Sequence, residues 1–256
     1  MKSNTSTFVA LLEKTTDFDK DERYMATSDL CNELQKDVEL GPDLERKYVV
    51  VSPFSLAAFP RSIRTSCMDS STIYGIICAA VLKQLDDKSN DVQSIAVKCL
   101  GILVTKVQEK QVGDICEKLC DLILNGKPEL RDIYSIGLKT ILTDVSTKTG
   151  ASVSTALCGR LLIGIAQYAD QAVKSDTLDI LTELLKRFGH DFPSEHVSIM
   201  DLLLKELKDD RAFVRKRVTS CLGALGVVAT DALLHRLVDH LLGDVKQASA
   251  ASSSDS

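Results

Sequence analysis

Apolar residues recur along the chain with the period of an α-helix, most clearly between Asp91 and Val104. The apolar positions of that stretch fall at i, i+3, i+4, i+7, i+8 and i+11: Val92, Ile95, Ala96, Cys99, Leu100 and Leu103. This spacing places them on one side of a helix. It therefore predicts an amphipathic helix whose apolar face packs against a partner helix.

The same pattern returns downstream at nearly constant intervals. Its copies start at four equivalent apolar residues, 38, 43 and 41 residues apart: Val92, Leu130, Val173 and Val214. A weaker copy covers 22–34, and further apolar stretches separate the copies: 112–124, 152–167 and 196–207. Helix pairs that repeat at about 40 residues are typical of HEAT and armadillo proteins. We therefore predict an all-α fold, a right-handed α-solenoid of HEAT/armadillo-like helix pairs.

One segment interrupts the repeat. The first two copies are 70 residues apart, and residues 48–80 contain two prolines and only three charged side chains. Because proline opposes a continuous helix, we predict an irregular, looped insertion over 48–80. We hypothesise that it is translated non-coding sequence. We also expect it to weaken the support of the helix at 91–104 from its N-terminal side.

The predicted domain organisation has two parts. A HEAT-repeat solenoid covers 1–246, with about five repeats and an incomplete one. Residues 247–256 are rich in alanine and serine, and we predict a disordered tail there. Because the helix predicted over 231–242 has no partner helix after it, we expect the chain to be the front part of a longer repeat protein.

Composition restricts the function classes. The chain has 256 residues, 45% of them hydrophobic, with a net charge of −5. An acidic protein of this kind is not typical of dedicated nucleic-acid binders, which carry a basic surface. The longest apolar run, Ile73 to Leu82, is about half of a membrane span. We expect a soluble, intracellular protein that binds no nucleic acid and no membrane.

Motifs for catalysis or metal binding do not stand out. The sequence contains no GxxxxGK[ST], GxGxxG or HExxH motif, which are the patterns of phosphate, dinucleotide and zinc sites. Cys116 and Cys120 are one helical turn apart and are predicted to be core residues. His235 and His240 lack a third ligand nearby. We predict no catalytic residue, no metal site, no cofactor and no small-molecule substrate.

Basic residues follow the leading apolar position in three successive copies. The candidate partner-binding residues are Arg131, Lys174, Arg215, Lys216 and Arg217. Two interpretations remain open. These residues could pair between repeats with acidic residues, as a structural ladder that includes Asp87, Asp132 and Asp209. They could instead form a basic stripe on the concave surface that meets an acidic partner.

Several segments resemble the cullin-associated, neddylation-dissociated proteins. The matching segments lie in order at the repeat spacing: Tyr24 to Leu30, Ile95 to Gly101, Leu130 to Ile133, Ser135 to Thr140 and Val214 to Arg217. Together the matches cover about 8–242, apart from 48–80. The family resembled consists of long HEAT solenoids that wrap around unneddylated cullin–RING scaffolds and exchange the substrate-receptor modules of ubiquitin ligases.

The resemblance implies a non-catalytic regulator of cullin–RING ubiquitin ligases, in the cytoplasm and nucleus. Its partners would be the cullin C-terminal region and its RING subunit, with the neddylation site covered. Because the adaptor-displacing repeats are C-terminal in that family, we expect weak cullin binding without adaptor exchange. The alternatives are another HEAT scaffold, such as a transport receptor or phosphatase scaffold, an all-helical enzyme fragment, or a non-functional truncated product.

Overall fold

A computed structural model of the chain describes residues 4–36, 70–168 and 170–254. The regular secondary structure in these ranges is entirely helical, which confirms the predicted all-α class. The α-helices are α1 Asn4–Lys14, α2 Lys20–Gln35, α3 Ser70–Gln84, α4 Asn90–Leu103, α5 Glu109–Asn125, α6 Arg131–Asp144, α7 Thr147–Gln167, α8 Gln171–Phe188, α9 His196–Glu206, α10 Ala212–Val228 and α11 Asp231–Ser254. Short 3-10 helices lie at Pro128–Leu130, Gly189–Asp191 and Pro193–Glu195.

The chain divides into two compact units, Met1–Thr149 and Gly150–Ser256. In the first unit, the even-numbered helices pack one on the next, α2 on α4 and α4 on α6. The odd-numbered helices α1, α3 and α5 each pack on the even-numbered helix that follows. An amphipathic helix buries its apolar face only against a neighbour. The observed helix pairs therefore agree with the apolar pattern of the sequence.

Helix α4 lies at the centre of the first unit. Of its six predicted core residues, five are buried and Ile95 is half-buried. Val97 and Gly101 are buried as well, because α4 packs against α2, α3 and α6 together. The expectation of weak support on its N-terminal side was therefore wrong: α2 packs directly on α4 although the two helices are far apart in sequence.

The structure corrects the end of the predicted insertion. Residues 70–80 are helical, not looped, because they belong to α3. The apolar run that lacked a clear period supplies a face that packs on α4, with Ile77, Cys78 and Val81 buried. Residues 48–69 lie outside the described residues.

The structure also corrects the predicted disordered tail. Helix α11 continues to Ser254, so residues 247–254 are helical. Alanine has the highest intrinsic helix propensity, and neither glycine nor proline follows Gly243. The alanine- and serine-rich composition of 247–254 predicts disorder, whereas the helix propensity of its alanines favours the helix that the structure shows.

The second unit repeats the same packing. Helix α8 packs on α10, and α9 packs on α10. A hydrogen bond of 2.9 Å between the His196 Nε2 and the Gly189 carbonyl fastens the start of α9 to the turn after α8. Helix α7 is long and apolar enough to cross a membrane by length and composition alone. Buried core helices of soluble proteins meet the same description, and Leu157, Leu161 and neighbouring residues of α7 are fully buried.

Candidate partner-binding surface

Three turns that lead into even-numbered helices share one hydrogen-bond pattern. In each, an aspartate side chain accepts the backbone N–H two residues later, where the helix begins: Asp17 from Asp19 at 2.9 Å, Asp87 from Ser89 at 2.8 Å and Asp209 from Arg211 at 2.9 Å. The side chain six residues after the aspartate then donates to the aspartate's carbonyl: Arg23, Gln93 and Arg215. This donor is always the fourth residue after the N-cap. We call it the donor position; Tyr134 and Lys174 occupy it in α6 and α8.

The donor position of α2 also ties the first helix pair to the second. The Arg23 guanidinium forms two hydrogen bonds with Asp87, Nε to Oδ2 at 2.6 Å and Nη2 to Oδ1 at 3.0 Å, with both side chains largely buried. Burial alone would raise the pKa of Asp87, but Arg23 and the Ser89 N–H together hold that pKa below its usual value. From the other side, the Tyr134 hydroxyl donates to Asp86 at 2.7 Å. The turn before α4 is thus fixed to both α2 and α6.

The donor position of α8 forms the corresponding link in the second unit. The Lys174 ammonium lies 2.5 Å from Glu206 Oε2 and 3.4 Å from Asp209 Oδ2, and all three side chains are about nine-tenths buried. Arg211 also pairs with Asp209, at 2.7 Å. The hydrogen bond from Arg211 is the main reason why the pKa of Asp209 lies well below its usual range, and Lys174 adds to it. Asp209 thus pairs with the candidate Lys174, as the ladder interpretation expects. Asp87 also belongs to a ladder, but its partner Arg23 is not one of the five candidates.

Two of the five predicted binding residues lie in the interior. Lys174 is buried in the ladder, and Arg131 is only 7% exposed. The Arg131 Nε donates to the Ile123 carbonyl at 3.2 Å, which joins the start of α6 to α5. Asp132, the third acidic residue predicted for the ladder, is exposed in the first turn of α6. Because Arg131 and Lys174 are buried, a partner could not contact their side chains in this conformation.

The other three predicted residues lie near the start of α10. Arg215 is half-buried and donates to the carbonyls of Asp209 and Asp210 at 2.7 and 2.8 Å. Arg217 is partly exposed and pairs with Asp179 of α8 at 3.1 Å. Lys216 is exposed. The structure therefore leaves Lys216 and Arg217 as the basic residues within reach of a partner, and their partner-binding role stays a prediction.

A position that the apolar pattern does not single out lies two residues after the donor position, at least partly accessible to water in all five even-numbered helices. In α2 and α6 it holds Met25 and Ile136, which are 55% and 51% exposed. In α4, α8 and α10 it holds three half-buried residues, Ile95, Asp176 and Arg217. The even-numbered helices therefore present side chains at one repeated position, apolar in the first unit and charged in the second. Aligning the copies on the donor position would have revealed it.

The described residues carry little that could support chemistry. No cluster of three or more histidine, cysteine, aspartate or glutamate side chains in these ranges could hold a metal ion. Cys116 and Cys120 are fully buried, as predicted, and burial raises the pKa of Cys116 to about 12. Such a thiol is protonated and unreactive at neutral pH. The His235 ring nitrogen Nδ1 bonds the Asp231 carbonyl in its own helix at 2.7 Å.

Stacked helix pairs define a class of protein, the HEAT/armadillo-like helical repeat, as predicted from the sequence. The crystal structure of Kap121p matches 93% of this chain, and 26% of its own length, with a TM-score of 0.51. At 16% identity this likeness concerns the fold alone. No family model matches the chain.

Two relatives match most of the chain in sequence, which is more specific than the likeness in fold. Cullin-associated NEDD8-dissociated protein 2 of Mus musculus is 41% identical over 239 residues, which are 91% of this chain. Cullin-associated NEDD8-dissociated protein 1 of Drosophila melanogaster is 38% identical over 235 residues, also 91% of this chain. The chain is thus homologous to the cullin-associated NEDD8-dissociated proteins, which confirms the resemblance. It spans 17% and 16% of the length of these two relatives.

Proposed function

We propose that this chain is a non-catalytic scaffold that binds cullin–RING ubiquitin ligases and regulates their assembly. The observation that carries the proposal is 41% identity over nine-tenths of the chain to a protein whose name states its association with cullins. The proposed partners are the cullin C-terminal region and its RING subunit. We place this activity in the cytoplasm and nucleus, without nucleic acid, membrane or small-molecule substrate.

The exposed side of the even-numbered helices is the proposed contact surface. Within each unit, the ladder fixes neighbouring even-numbered helices side by side, through Arg23 in the first unit and Lys174 in the second. The outward side chains of each unit therefore stand in a preset arrangement. A preorganised surface loses little conformational freedom when it binds. On α10, Lys216 and Arg217 add positive charge, which favours encounter with an acidic patch of the partner.

Charge reversal at Lys216 and Arg217 tests this surface. We expect the Lys216→Glu, Arg217→Glu variant to bind a purified cullin C-terminal fragment with its RING subunit about tenfold more weakly, a change of about 1.4 kcal/mol. The thermal midpoint should fall by no more than about 2–4 °C, because the partly exposed Arg217–Asp179 pair contributes about 0–1 kcal/mol. Biolayer interferometry and calorimetry measure the two quantities.

The matched control is Lys205→Glu with Lys208→Glu, the same change of charge on exposed residues at the end of α9 and in the turn after it. It should leave cullin binding within about twofold of the unmodified chain, since α9 is not an even-numbered helix. If both variants bound the cullin fragment equally weakly, the change in net charge alone would explain the loss of affinity. Unfolding of the α10 variant without a separate effect on binding would assign Lys216 and Arg217 to the ladder.

A further inference from the structure

The most exposed large apolar side chain in the described part of the chain is Phe18, in the turn between α1 and α2. Its side chain is fully accessible to water. Single exposed apolar residues are common on protein surfaces, so exposure alone says little. The surroundings of Phe18 are what give it significance.

The backbone that carries Phe18 is firmly held. The Arg23 Nη1 donates to the carbonyl of Phe18 at 2.8 Å and to that of Asp17 at 2.9 Å. Arg23 is itself fixed by its largely buried ion pair with Asp87. The Asp17 side chain closes the turn by accepting the Asp19 N–H at 2.9 Å. A side chain presented on a fixed backbone loses little additional freedom when it enters a partner's pocket.

The other turns of this type show that the turn itself does not require phenylalanine. The residue after the aspartate is Lys88 in the turn before α4 and Asp210 in the turn before α10. Both are charged and exposed, as expected for a site in water. Only in the turn before α2, among these three, does an aromatic residue stand at this position. Its apolar surface contributes nothing to the packing of this chain.

The charge around Phe18 indicates the chemistry of a partner. Between residues 17 and 22 its sequence neighbours are all charged, four acidic and one basic: Asp17, Asp19, Lys20, Asp21 and Glu22. All are exposed, and Glu22 pairs with Lys14 at 3.1 Å. An exposed aromatic side chain with mostly acidic sequence neighbours complements an apolar pocket rimmed by lysine or arginine.

We propose that Phe18 is an anchor that inserts into an apolar, basic-rimmed pocket on the cullin–RING partner. The inference rests on the proposed function, because it names the same partner. Buried aromatic anchors commonly supply a large share of the binding free energy of an interface. Phe18 would add a second contact region at the edge of the helix stack, where the turns before α2 and α4 meet through Arg23 and Asp87.

The test compares the full chain with its Phe18→Ser variant, using a purified cullin C-terminal fragment with its RING subunit as the probe. We expect about 30-fold weaker binding by the variant, as for the loss of an interface hot spot. The thermal midpoint should not change, because Phe18 buries no surface in this chain. Phe18→Tyr should retain most of the affinity, and Lys88→Ser, at the equivalent position, should retain all of it.

Each outcome bears on a different claim. Binding by the unmodified chain with equal binding by Phe18→Ser would overturn the anchor while leaving the proposed function standing. No binding by the unmodified chain would overturn the proposed function and, with it, the named partner of Phe18. A lower thermal midpoint for Phe18→Ser, with loss of affinity also in Phe18→Tyr, would assign Phe18 a structural role instead.

Discussion

Replacing Lys174 with alanine is expected to lower the free energy of unfolding by about 3–5 kcal/mol. The substitution removes the cation from a buried cluster and leaves Glu206 without its partner at 2.5 Å. Asp209 keeps Arg211, at 2.7 Å, so the loss falls mainly on Glu206. Equilibrium unfolding in urea, followed by circular dichroism at the helix band, measures the change in the transition of the second unit.

Two further variants make the Lys174 result specific. Lys186→Ala removes an exposed ion pair with Glu183 and should change the free energy of unfolding by less than about 1 kcal/mol. Lys174→Met combined with Glu206→Met should recover much of the loss, because no uncompensated charge then stays buried. If Lys174→Ala were no more harmful than Lys186→Ala, the ladder would not hold the second unit together.

The second large effect is expected at Gly150, at the start of α7. A Cβ atom there would overlap three ring atoms of Phe188. Phe188 is only 3% exposed, so its ring has little room to move. We expect Gly150→Ala to destabilise the second unit by about 1–3 kcal/mol, the usual cost of overpacking. The same urea experiment measures it.

Gly159 in the same helix is the matched control. Nothing lies within 4 Å of a Cβ built at this position. Because alanine favours the helix over glycine, Gly159→Ala should stabilise the protein by about 0.5–1 kcal/mol. Opposite signs for the two substitutions would show that the contact with Phe188, rather than helix propensity, decides the result at Gly150. A gain in stability at both positions would contradict the close approach of Phe188 to Gly150.

The periodic part of the sequence predicted the fold well. Val92 and Leu100 lie on a stripe whose spacing matches the helical period, and both are fully buried in α4. Segments without a clear period were predicted poorly, because their structure had to be inferred from amino-acid composition instead of from apolar spacing. The two prolines of 48–80 favour a loop that extends to residue 80, and the alanine- and serine-rich composition of 247–254 favours a disordered tail. Residues 70–80 and 247–254 are helical.

The candidate binding residues were harder to place at the surface or in the interior, because burial of a charge depends on partners distant in sequence. Lys174 looks like an ordinary surface lysine until Glu206, 32 residues later, is placed beside it. Arg23 was missed for the same reason, since Asp87 follows it by 64 residues. An alignment of the repeats identifies the donor position but not the acidic residue with which its side chain pairs. The three-dimensional stack supplies that information.

The most direct test of the proposed function compares binding of the purified chain to one cullin–RING complex with and without covalently attached NEDD8. Because the proposed contact covers the neddylation site of the cullin, the chain should be retained on the unmodified complex and lost from the NEDD8-conjugated one. A pull-down with both complexes, normalised to bait, measures this difference. Equal retention on the two complexes, or no retention on the unmodified one, would contradict the proposed function.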